Sequence, residues 1–487
     1  MKQKLHCLLP LLWCCLLAAP FASCDDSEKF TAQPGALLTF STDTVKFDTV
    51  LSTIGSATRQ LMVYNRNAEG LRIVKARMHS ASATPFRVNV DGTYLERQGG
   101  AVGYDFEVRT GDSIRVFAEV TMPYADSDQL RPLCDTLIFT LESGVEQGVI
   151  FSAVAQDAYM WRGKTIHNDT TLLPGRPVLV YDSLVVAPGV TLTLQAGVAL
   201  YFHDDAHLLV DGTLVAQGTA EQPVVLRCDR TDRMFPYLPY DNTPSRWGGV
   251  RLRRQSMNNV LEHIDLHSAS YGICCDSASL EAPRLSLLHS VIHNVGGDGL
   301  TLYSCRALVA NTQVSNTLGH CVAAYGGELE LTHCTLAQFY PWDANRGYAL
   351  RLADKWVDKT YTLLGYKVQN CLVTGYADNV VSVEIDDKEG TAPYLFDHSV
   401  VRMPATDDEK HYTGMTFEAK DDEHAGSKQF RRLDIDNIVY DFRLLDTSTA
   451  RGKGSAALVG AWTADRYGVA RPADAAPDAG CYQYVTE

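Results

Sequence analysis

The sequence predicts an all-β protein: an N-terminal β-sandwich followed by a right-handed parallel β-helix, a single-stranded solenoid. Two observations favour this fold class. Residues 30–158 consist of short segments in which apolar and polar residues alternate, with no helical period. Residues 159–487 contain an internal repeat whose apolar positions recur in a fixed register.

The N-terminus has the pattern of a secretory signal. Lys2 and Lys4 precede an apolar stretch over residues 5–20, which is too short for a stable membrane span. Small residues follow it. We therefore expect residues 1–23 to be a signal peptide.

The residues around the predicted cleavage site, Phe-Ala-Ser-Cys at 21–24, resemble the lipobox of bacterial lipoproteins. This resemblance implies that Cys24 carries a diacylglycerol. Asp25 and Asp26 resemble the acidic tag that sends Bacteroidota lipoproteins to the outer face of the outer membrane, which implies a surface-exposed location and a short tether over residues 24–29. The alternative is free secretion after simple cleavage.

The composition excludes some classes of partner. Acidic side chains outnumber basic ones, 58 to 43, and the net charge is −15. Because nucleic acids and anionic membranes select for basic patches, we expect neither as a partner.

The cysteines offer no chemical motif. Of 13 cysteines, Cys7, Cys14, Cys15 and Cys24 belong to the signal and the lipobox, which leaves nine. None stands in a C-x-x-C arrangement, so the sequence predicts neither a zinc site nor a thioredoxin-like redox pair. Their disulfide pairing stays open.

The β-sandwich is predicted over residues 30–158, with an irregular α+β domain as the alternative. Turn residues separate its alternating segments. The predicted strands are 38–40, 44–50, 61–64, 86–90, 114–120, 137–141 and 149–154. The run 38–65 resembles the immunoglobulin-like domains that begin many Bacteroidota surface lipoproteins, where they are usually spacers or docking modules.

The solenoid is predicted from a repeat anchored at six residues, namely His263, His289, Asn311, His333, Asn370 and His398. The positions two before, one after and three after each anchor hold apolar or small residues in all six cases. Stacked coils need such ranks, because each coil covers the inward side chains of the next. Asn and His tolerate positive φ, so each anchor is predicted to form a sharp turn between two strands.

The segments 189–198 and 208–218 resemble the opening coils of parallel β-helix, or pectin-lyase-like, proteins. A leucine-rich repeat is the alternative solenoid, but its L-x-x-L-x-L-x-x-N core is missing. The β-helix is therefore predicted over residues 159–487, with loop insertions and a C-terminal cap.

This register supplies structural roles for residues that could otherwise be chemical. Cys334 and Cys371 share one inward rank, so a zinc or redox pair is conceivable, but Ser, Thr and Ile fill that rank elsewhere and favour small core residues. The histidine anchors fit turns better than metal ligands. We expect no metal and no cofactor.

Two outward pairs remain, each 22 residues apart. Tyr303 and Tyr325 should stack on one sheet. Asp298 and His320 precede the same strand, and a carboxylate beside an imidazole could serve acid–base catalysis. The constellations of pectate-lyase-like and polygalacturonase-like enzymes are missing, and Asp298 has no second carboxylate in register. A hydrogen-bonded surface pair is the alternative, and we assign no catalytic residue.

Two long connections concentrate aromatic residues. One contains Tyr237 and Tyr240, and the other contains Tyr340 and Trp342. Exposed aromatic rings beside polar groups suit sugar stacking or protein contacts, so these four residues, with the two outward tyrosines, are the ligand-binding candidates. The alternative is that each loop folds down and caps the solenoid with its own aromatics.

The same segments carry a family resemblance. Residues 235–241, Trp247-Gly248-Gly249 and the ending 477–484 are similar to a group of uncharacterised Bacteroidota surface lipoproteins with this two-domain layout, although Cys481 stands where that ending usually has Ala. The group has no established chemistry, so the resemblance implies a fold and a location only.

Three functions are therefore compared. The sequence favours a non-catalytic surface protein that binds glycan or another macromolecule. The alternatives are a β-helix carbohydrate-active enzyme, either lyase-like or hydrolase-like, and a structural component that docks to an envelope protein.

Overall fold

The chain is almost entirely β. The structure, a computed structural model, describes residues 28–386 and 392–486, so the predicted signal peptide and Cys24 lie outside the described residues. Helical turns within those ranges are short and of the 3-10 type. They span Ala81–Ala83, Arg97–Gly99, Tyr240–Asn242, Gly426–Gln429 and Ala456–Leu458. No helix in the described part of the chain is long and apolar enough to cross a bilayer.

The described residues form two compact units. The first comprises the residues up to Pro123 together with Arg131–Ala155, and the second comprises Tyr124–Leu130 and the residues from Gln156 onward.

The first unit contains two five-stranded sheets, with strand orders β1-β3-β8-β5-β6 and β2-β10-β9-β4-β7. The strands are β1 Leu38–Phe40, β2 Thr44–Leu51, β3 Arg59–Asn65, β4 Leu71–Met78, β5 Phe86–Val90, β6 Thr93–Tyr94, β7 Val102–Val108, β8 Ser113–Val120, β9 Arg131–Leu141 and β10 Glu146–Gln156. Neighbouring strands of the first sheet are antiparallel, as are β10–β9, β9–β4 and β4–β7 of the second.

Alternation explains the core of this unit. In β8, Ile114, Val116, Ala118 and Val120 are buried while the residues between them face outward, as the two-residue period of a strand requires. Buried side chains of both sheets belong to one apolar cluster. All seven predicted strands are present, and β4, β6 and β7 were not predicted.

The second unit is organised around one 26-stranded sheet. Its strands are β11 Tyr159–Ile166, β12 Thr170–Leu172, β13 Val178–Val186, β14 Thr191–Gln195, β15 Ala199–Phe202, β16 His207–Val210, β17 Thr213–Gln217, β18 Val224–Cys228, β21 Gly249–Leu252, β22 Asn259–Glu262, β23 Ile264–His267, β24 Ile273–Cys275, β25 Leu285–Leu288, β26 Val291–Val295, β27 Leu300–Ala310, β28 Gln313–Thr317, β29 Val322–Thr332, β30 Thr335–Gln338, β31 Leu350–Ala353, β34 Leu363–Gln369, β35 Leu372–Gly375, β36 Val381–Glu384, β37 Tyr394–Asp397, β38 Val400–Val401, β39 Tyr412–Thr413 and β40 Thr416–Phe417. Three hairpins accompany it, formed by β19 Arg233–Phe235 with β20 Leu238–Pro239, β32 Lys355–Trp356 with β33 Lys359–Thr360, and β41 Phe430–Asp434 with β42 Val439–Leu444.

The pairing of the large sheet is parallel and repeats along the chain. Ladder 1 contains β16, β21, β24, the first part of β27, the first part of β29, β31 and β36. Ladder 2 contains β14, β17, β22, β25, the second parts of β27 and β29, β34 and β37. Ladder 3 contains β15, β18, β23, β26, β28, β30, β35 and β38. The chain visits the ladders in this order in each coil, an arrangement compatible with a β-helix.

The six anchors lie between ladder 2 and ladder 3, as the repeat predicts. All six have a left-handed backbone, with φ from 47° to 52°. The inward ranks beside them are fully buried in every coil; Leu261, Ile264 and Leu266 of the first are representative. The predicted turns and the predicted inward ranks are both confirmed.

The C-terminal segment covers part of the outer surface of ladder 3. Ala337, Leu372 and Val400 face outward there and are buried beneath aromatic and small residues of the segment. Cys481 also donates its backbone N–H to Oγ1 of Thr335. The outer surface of ladder 3 is thus covered at its C-terminal coils.

Candidate functional site

Polar residues gather on the outer surface of ladder 3, where β23 and β26 lie side by side. Outward positions in β23 fall at Asp265 and His267, because Ile264 and Leu266 point inward. In the next coil, His293 of β26 stands in register with His267. The parallel ladder therefore fixes these three side chains at one place, which we call the Asp–His cluster.

The cluster is joined by short contacts. Nδ1 of His267 lies 2.9 Å from Oδ1 of Asp265, and Nε2 of His293 lies 3.3 Å from the same oxygen. The two imidazole rings are 4.8 Å apart. One carboxylate oxygen of Asp265 thus contacts a ring nitrogen of both histidines.

A second carboxylate approaches from the connection between β18 and β21. Oδ2 of Asp241 lies 3.4 Å from Nε2 of His267 and is paired with the guanidinium of Arg227. In the same connection, the guanidinium groups of Arg230 and Arg246 lie 3.8 and 4.8 Å from the ring centroid of Tyr240. The contacts of Asp241 with Arg227 of β18 and His267 of β23 hold the base of the connection against ladder 3.

The charges of the cluster support one another. Burial disfavours the charged imidazole of His267, but the carboxylates of Asp265 and Asp241 outweigh it and raise the pKa to about 9. Burial also disfavours ionisation of Asp265, yet His267 and His293 hold the pKa of its carboxyl well below the usual range. The side chain of Asp265 is 33% exposed and that of His293 is 23% exposed, so solvent reaches the cluster.

The Asp–His cluster was not predicted from the sequence. A signal for it exists, because His267 and His293 are 26 residues apart and the anchors His263 and His289 of the same coils have the same interval. The sequence prediction rests on the anchor rank and the inward ranks, whereas His267 and His293 occupy an outward rank four residues after the anchor. Asp265, His267 and His293 together could hold a metal ion, since their ligand atoms lie within 4.8 Å of one another.

The connection that carries Asp241 also presents exposed aromatics. In the hairpin of β19 and β20, the rings of Phe235 and Tyr237 stack with centroids 5.7 Å apart and planes 11° apart. They are 50% and 44% exposed. Tyr240 and Leu238 instead pack inward, so this connection is part surface platform and part cap.

The predicted tyrosine pair is present on ladder 1. The rings of Tyr303 and Tyr325 stack 5.3 Å apart, as expected from their register. Trp356 of the hairpin formed by β32 and β33 lies 4.7 Å from the ring of Tyr325, which is only 1% exposed. A ligand could stack on Tyr325 only if Trp356 moved away.

The connection that contains Tyr340 and Trp342 also has one buried and one exposed aromatic ring. Tyr340 is 4% exposed, and Trp342, whose ring lies 5.3 Å away, is 39% exposed. Of the two, Trp342 is the side chain open to a partner.

Asp298 and His320 are brought together, but not as a side-chain pair. Oδ1 of Asp298 accepts the backbone N–H of His320 at 2.8 Å, and Oδ2 accepts the hydroxyl of Thr301 at 3.0 Å. Nδ1 of His320 accepts the backbone N–H of Tyr348 at 2.9 Å. These bonds hold a turn before ladder 1.

The cysteines of the described residues are all free thiols. Cys334 and Cys371 are fully buried on the inward rank, and Sγ of Cys371 accepts the backbone N–H of Cys334 at 3.4 Å. Each thiol also donates to carbonyl groups of its own and the preceding coil. The two residues act as small core side chains.

Comparison with known proteins assigns no activity. No family model matches the chain. A stretch of 72 residues is 36% identical to Protein bark beetle of Drosophila melanogaster, which corresponds to 15% of this chain and 2% of that protein's length. A crystal structure of a protein of unknown function from Porphyromonas gingivalis W83 is 13% identical, covering 27% of this chain and 60% of that chain, with a TM-score of 0.18.

Proposed function

We propose that this chain is a lipid-anchored surface protein that binds a polysaccharide through the exposed aromatic platform of Phe235 and Tyr237. The lipid anchor at Cys24 and the outer-membrane location rest on the sequence. The platform is the observation that carries the binding proposal. The two rings are nearly parallel, stack on each other and are half exposed, so their open faces offer apolar surface on which a sugar ring can stack, and exposed aromatic surface on a folded chain is a marker of contact sites.

The architecture that we propose is an immunoglobulin-like sandwich followed by a right-handed parallel β-helix. The shared core of the two five-stranded sheets supports the sandwich. The three parallel ladders support the helix, and crossovers between parallel strands are right-handed in nearly all known cases.

A solenoid suits the binding of an extended polymer because its surface repeats at one strand spacing per coil, about 4.8 Å. The platform belongs to the connection whose base reaches the Asp–His cluster through Asp241. The connection therefore carries both the aromatic platform and a charged carboxylate, which are groups that suit a polysaccharide.

Binding is tested with a glycan array, followed by titration of the best polysaccharide. Replacing Phe235 and Tyr237 together with Ala should weaken binding about 10-fold or more, since each lost stacking contact is worth on the order of 1 kcal/mol. Tyr104→Ala is the matched control, because Tyr104 is 59% exposed and lies in the other unit. An array without hits, or unchanged affinity in the double variant, would contradict the proposal.

A carbohydrate-active enzyme is the second candidate, favoured by the Asp–His cluster. An imidazole held between two carboxylates can transfer protons. Assays for new reducing ends and for unsaturated uronates on acidic polysaccharides test it. Turnover that is lost in His293→Ala and kept in Asp298→Asn would support the cluster as the site, and no turnover on any substrate would remove the candidate.

A further inference from the structure

We propose that Asp265, His267 and His293 bind a divalent transition-metal ion of the zinc class, with the fourth position open to solvent. The ligands are Oδ1 of Asp265, Nδ1 of His267 and Nε2 of His293. Metal binding at the Asp–His cluster is independent of the polysaccharide proposal and is measured without any glycan.

The spacing of the donor atoms supports the assignment. In a tetrahedral site with bonds of about 2.0–2.1 Å, neighbouring ligand atoms stand about 3.3 Å apart. The oxygen of Asp265 lies 2.9 Å from the nitrogen of His267 and 3.3 Å from that of His293. These two separations are within a few tenths of an ångström of the tetrahedral value, and all three ligand atoms lie within 4.8 Å of one another.

The remaining ring nitrogen of His267 has the partner that a metal-bound imidazole usually has. Its Nε2 lies 3.4 Å from Asp241, whose carboxylate is held in turn by Arg227. A carboxylate behind a histidine ligand fixes the ring orientation and tautomer, and it increases the basicity of the coordinating nitrogen. This arrangement distinguishes the cluster from a chance meeting of surface histidines.

The charge of the Asp–His cluster and the rigidity of its strands also support metal binding. Two carboxylates, those of Asp265 and Asp241, and one guanidinium, that of Arg227, belong to the group, so its acidic side chains outnumber its guanidinium groups. The ligands stand on adjacent strands of a parallel ladder rather than on loops, which fixes their separation.

The donor set selects the kind of ion. Two imidazoles with one carboxylate suit zinc, nickel, copper or iron, whereas calcium and magnesium prefer sites made of oxygen ligands. The exposed edges of Asp265 and His293 leave one side of the cluster open, so a water molecule or a ligand oxygen can complete the coordination.

The test is calorimetric titration of the metal-stripped full chain with ZnCl₂, repeated with CaCl₂. We expect one zinc ion per chain and no calcium binding at the cluster. His293→Ala should weaken zinc binding at least 100-fold, and Asp241→Asn should weaken it 10- to 100-fold. Because the side chain of His293 is partly exposed, its removal should leave the circular dichroism spectrum unchanged.

His203→Ala is the matched control. His203 is 49% exposed and pairs with Asp229 at 2.6 Å, outside the cluster, so zinc binding should be unaffected. The absence of stoichiometric zinc binding, or equal affinity in wild type and His293→Ala, would overturn the proposal. Replacing Phe235 and Tyr237 with Ala should leave zinc binding intact. A failure of the polysaccharide proposal can therefore be distinguished from a failure of the metal proposal.

Discussion

Asn370 donates a hydrogen bond from its Nδ2 to Nε2 of His333, 3.1 Å away, although the two residues are 37 positions apart in the chain. Both are anchors with left-handed backbones, and both are fully buried. Asn370 also exchanges two hydrogen bonds with the backbone of Ser455 in the C-terminal segment. The anchors therefore form a column of turns that the C-terminal segment covers.

The buried imidazole of His333 makes the protein sensitive to acid. Burial lowers its pKa from 6.5 to about 2, helped by the charge of Arg471. Between these values the unfolded chain binds a proton that the folded chain does not, so stability falls as the pH drops below about 6.5. From pH 7.5 to pH 5 the free energy of unfolding should decrease by about 2 kcal/mol through this group, at about 1.4 kcal/mol per pH unit.

His333→Asn isolates this contribution, since Asn occupies the same position at 311 and 370. Urea unfolding followed by tryptophan fluorescence reports on the second unit, which contains all tryptophans of the described residues. Between pH 7.5 and pH 5, the free energy of unfolding should decrease by about 2 kcal/mol less in the variant than in wild type. Identical losses in both proteins would show that His333 is not the responsible group.

Asn311 should be a costly anchor to truncate. Its Oδ1 accepts a hydrogen bond from Arg471 at 2.8 Å, and its Nδ2 donates to the carbonyl of Ala464 at 2.9 Å, while φ is 47°. Asn311→Ala removes these bonds and puts alanine, which accepts a left-handed backbone less readily than asparagine, at this turn, so we expect a loss of about 3 kcal/mol. Asn311→Gly should lose about 1 kcal/mol less, because glycine accepts that backbone. Thermal unfolding measures the stability of the two variants. Equal losses of stability would show that backbone strain at position 311 does not contribute.

The repeating parallel sheet of the second unit could be predicted because its side-chain ranks repeat. Inward positions require similar volumes in every coil, so Leu261 and its equivalents leave a periodic trace in one sequence. The turn column was visible for the same reason, since only a few residue types accept positive φ. The stacking of Tyr303 on Tyr325 followed from the register alone.

The sites could not be predicted so directly. Whether Tyr325 is exposed depends on Trp356, which folds back from the hairpin of β32 and β33. The Asp–His cluster draws Asp241 from a long connection whose path no repeat encodes. Strands β4, β6 and β7 were missed for a related reason, because β6 has two exposed residues and Lys75, Asp105 and Glu107 interrupt the apolar pattern of the other two.

The thiols should divide sharply by exposure. Of the nine cysteines in the described residues, Cys134 is exposed, Cys274 is partly buried and seven are buried. Burial raises the pKa of Cys274, Cys321 and Cys481 to about 12, which leaves little thiolate at neutral pH. A chain prepared without its first 24 residues should react rapidly with Ellman's reagent at one thiol when native and at nine in denaturant.

Cys134→Ser is the control for this assignment and should abolish the rapid phase. Its register partner in the hairpin is Ser152, so a serine fits the strand. Two or more rapid thiols in the native protein, or a rapid phase that survives in Cys134→Ser, would contradict the burial of the solenoid cysteines.

Asp298 should prove to be a stabilising residue rather than a catalytic one. Its two oxygens accept hydrogen bonds from the backbone of His320 and the hydroxyl of Thr301, and neither contacts an imidazole nitrogen. Asp298→Ala removes both bonds and should cost about 2 kcal/mol, measured as a thermal midpoint lower by several degrees. Asp298→Asn keeps one acceptor and should cost less.

Asp276→Asn is the control, since Asp276 forms a surface ion pair with Arg251 at 2.9 Å and such pairs contribute little. If Asp298→Asn instead lost polysaccharide binding or turnover while keeping its thermal midpoint, the residue would belong to a functional site, because a turn-holding role cannot be lost without a change in stability.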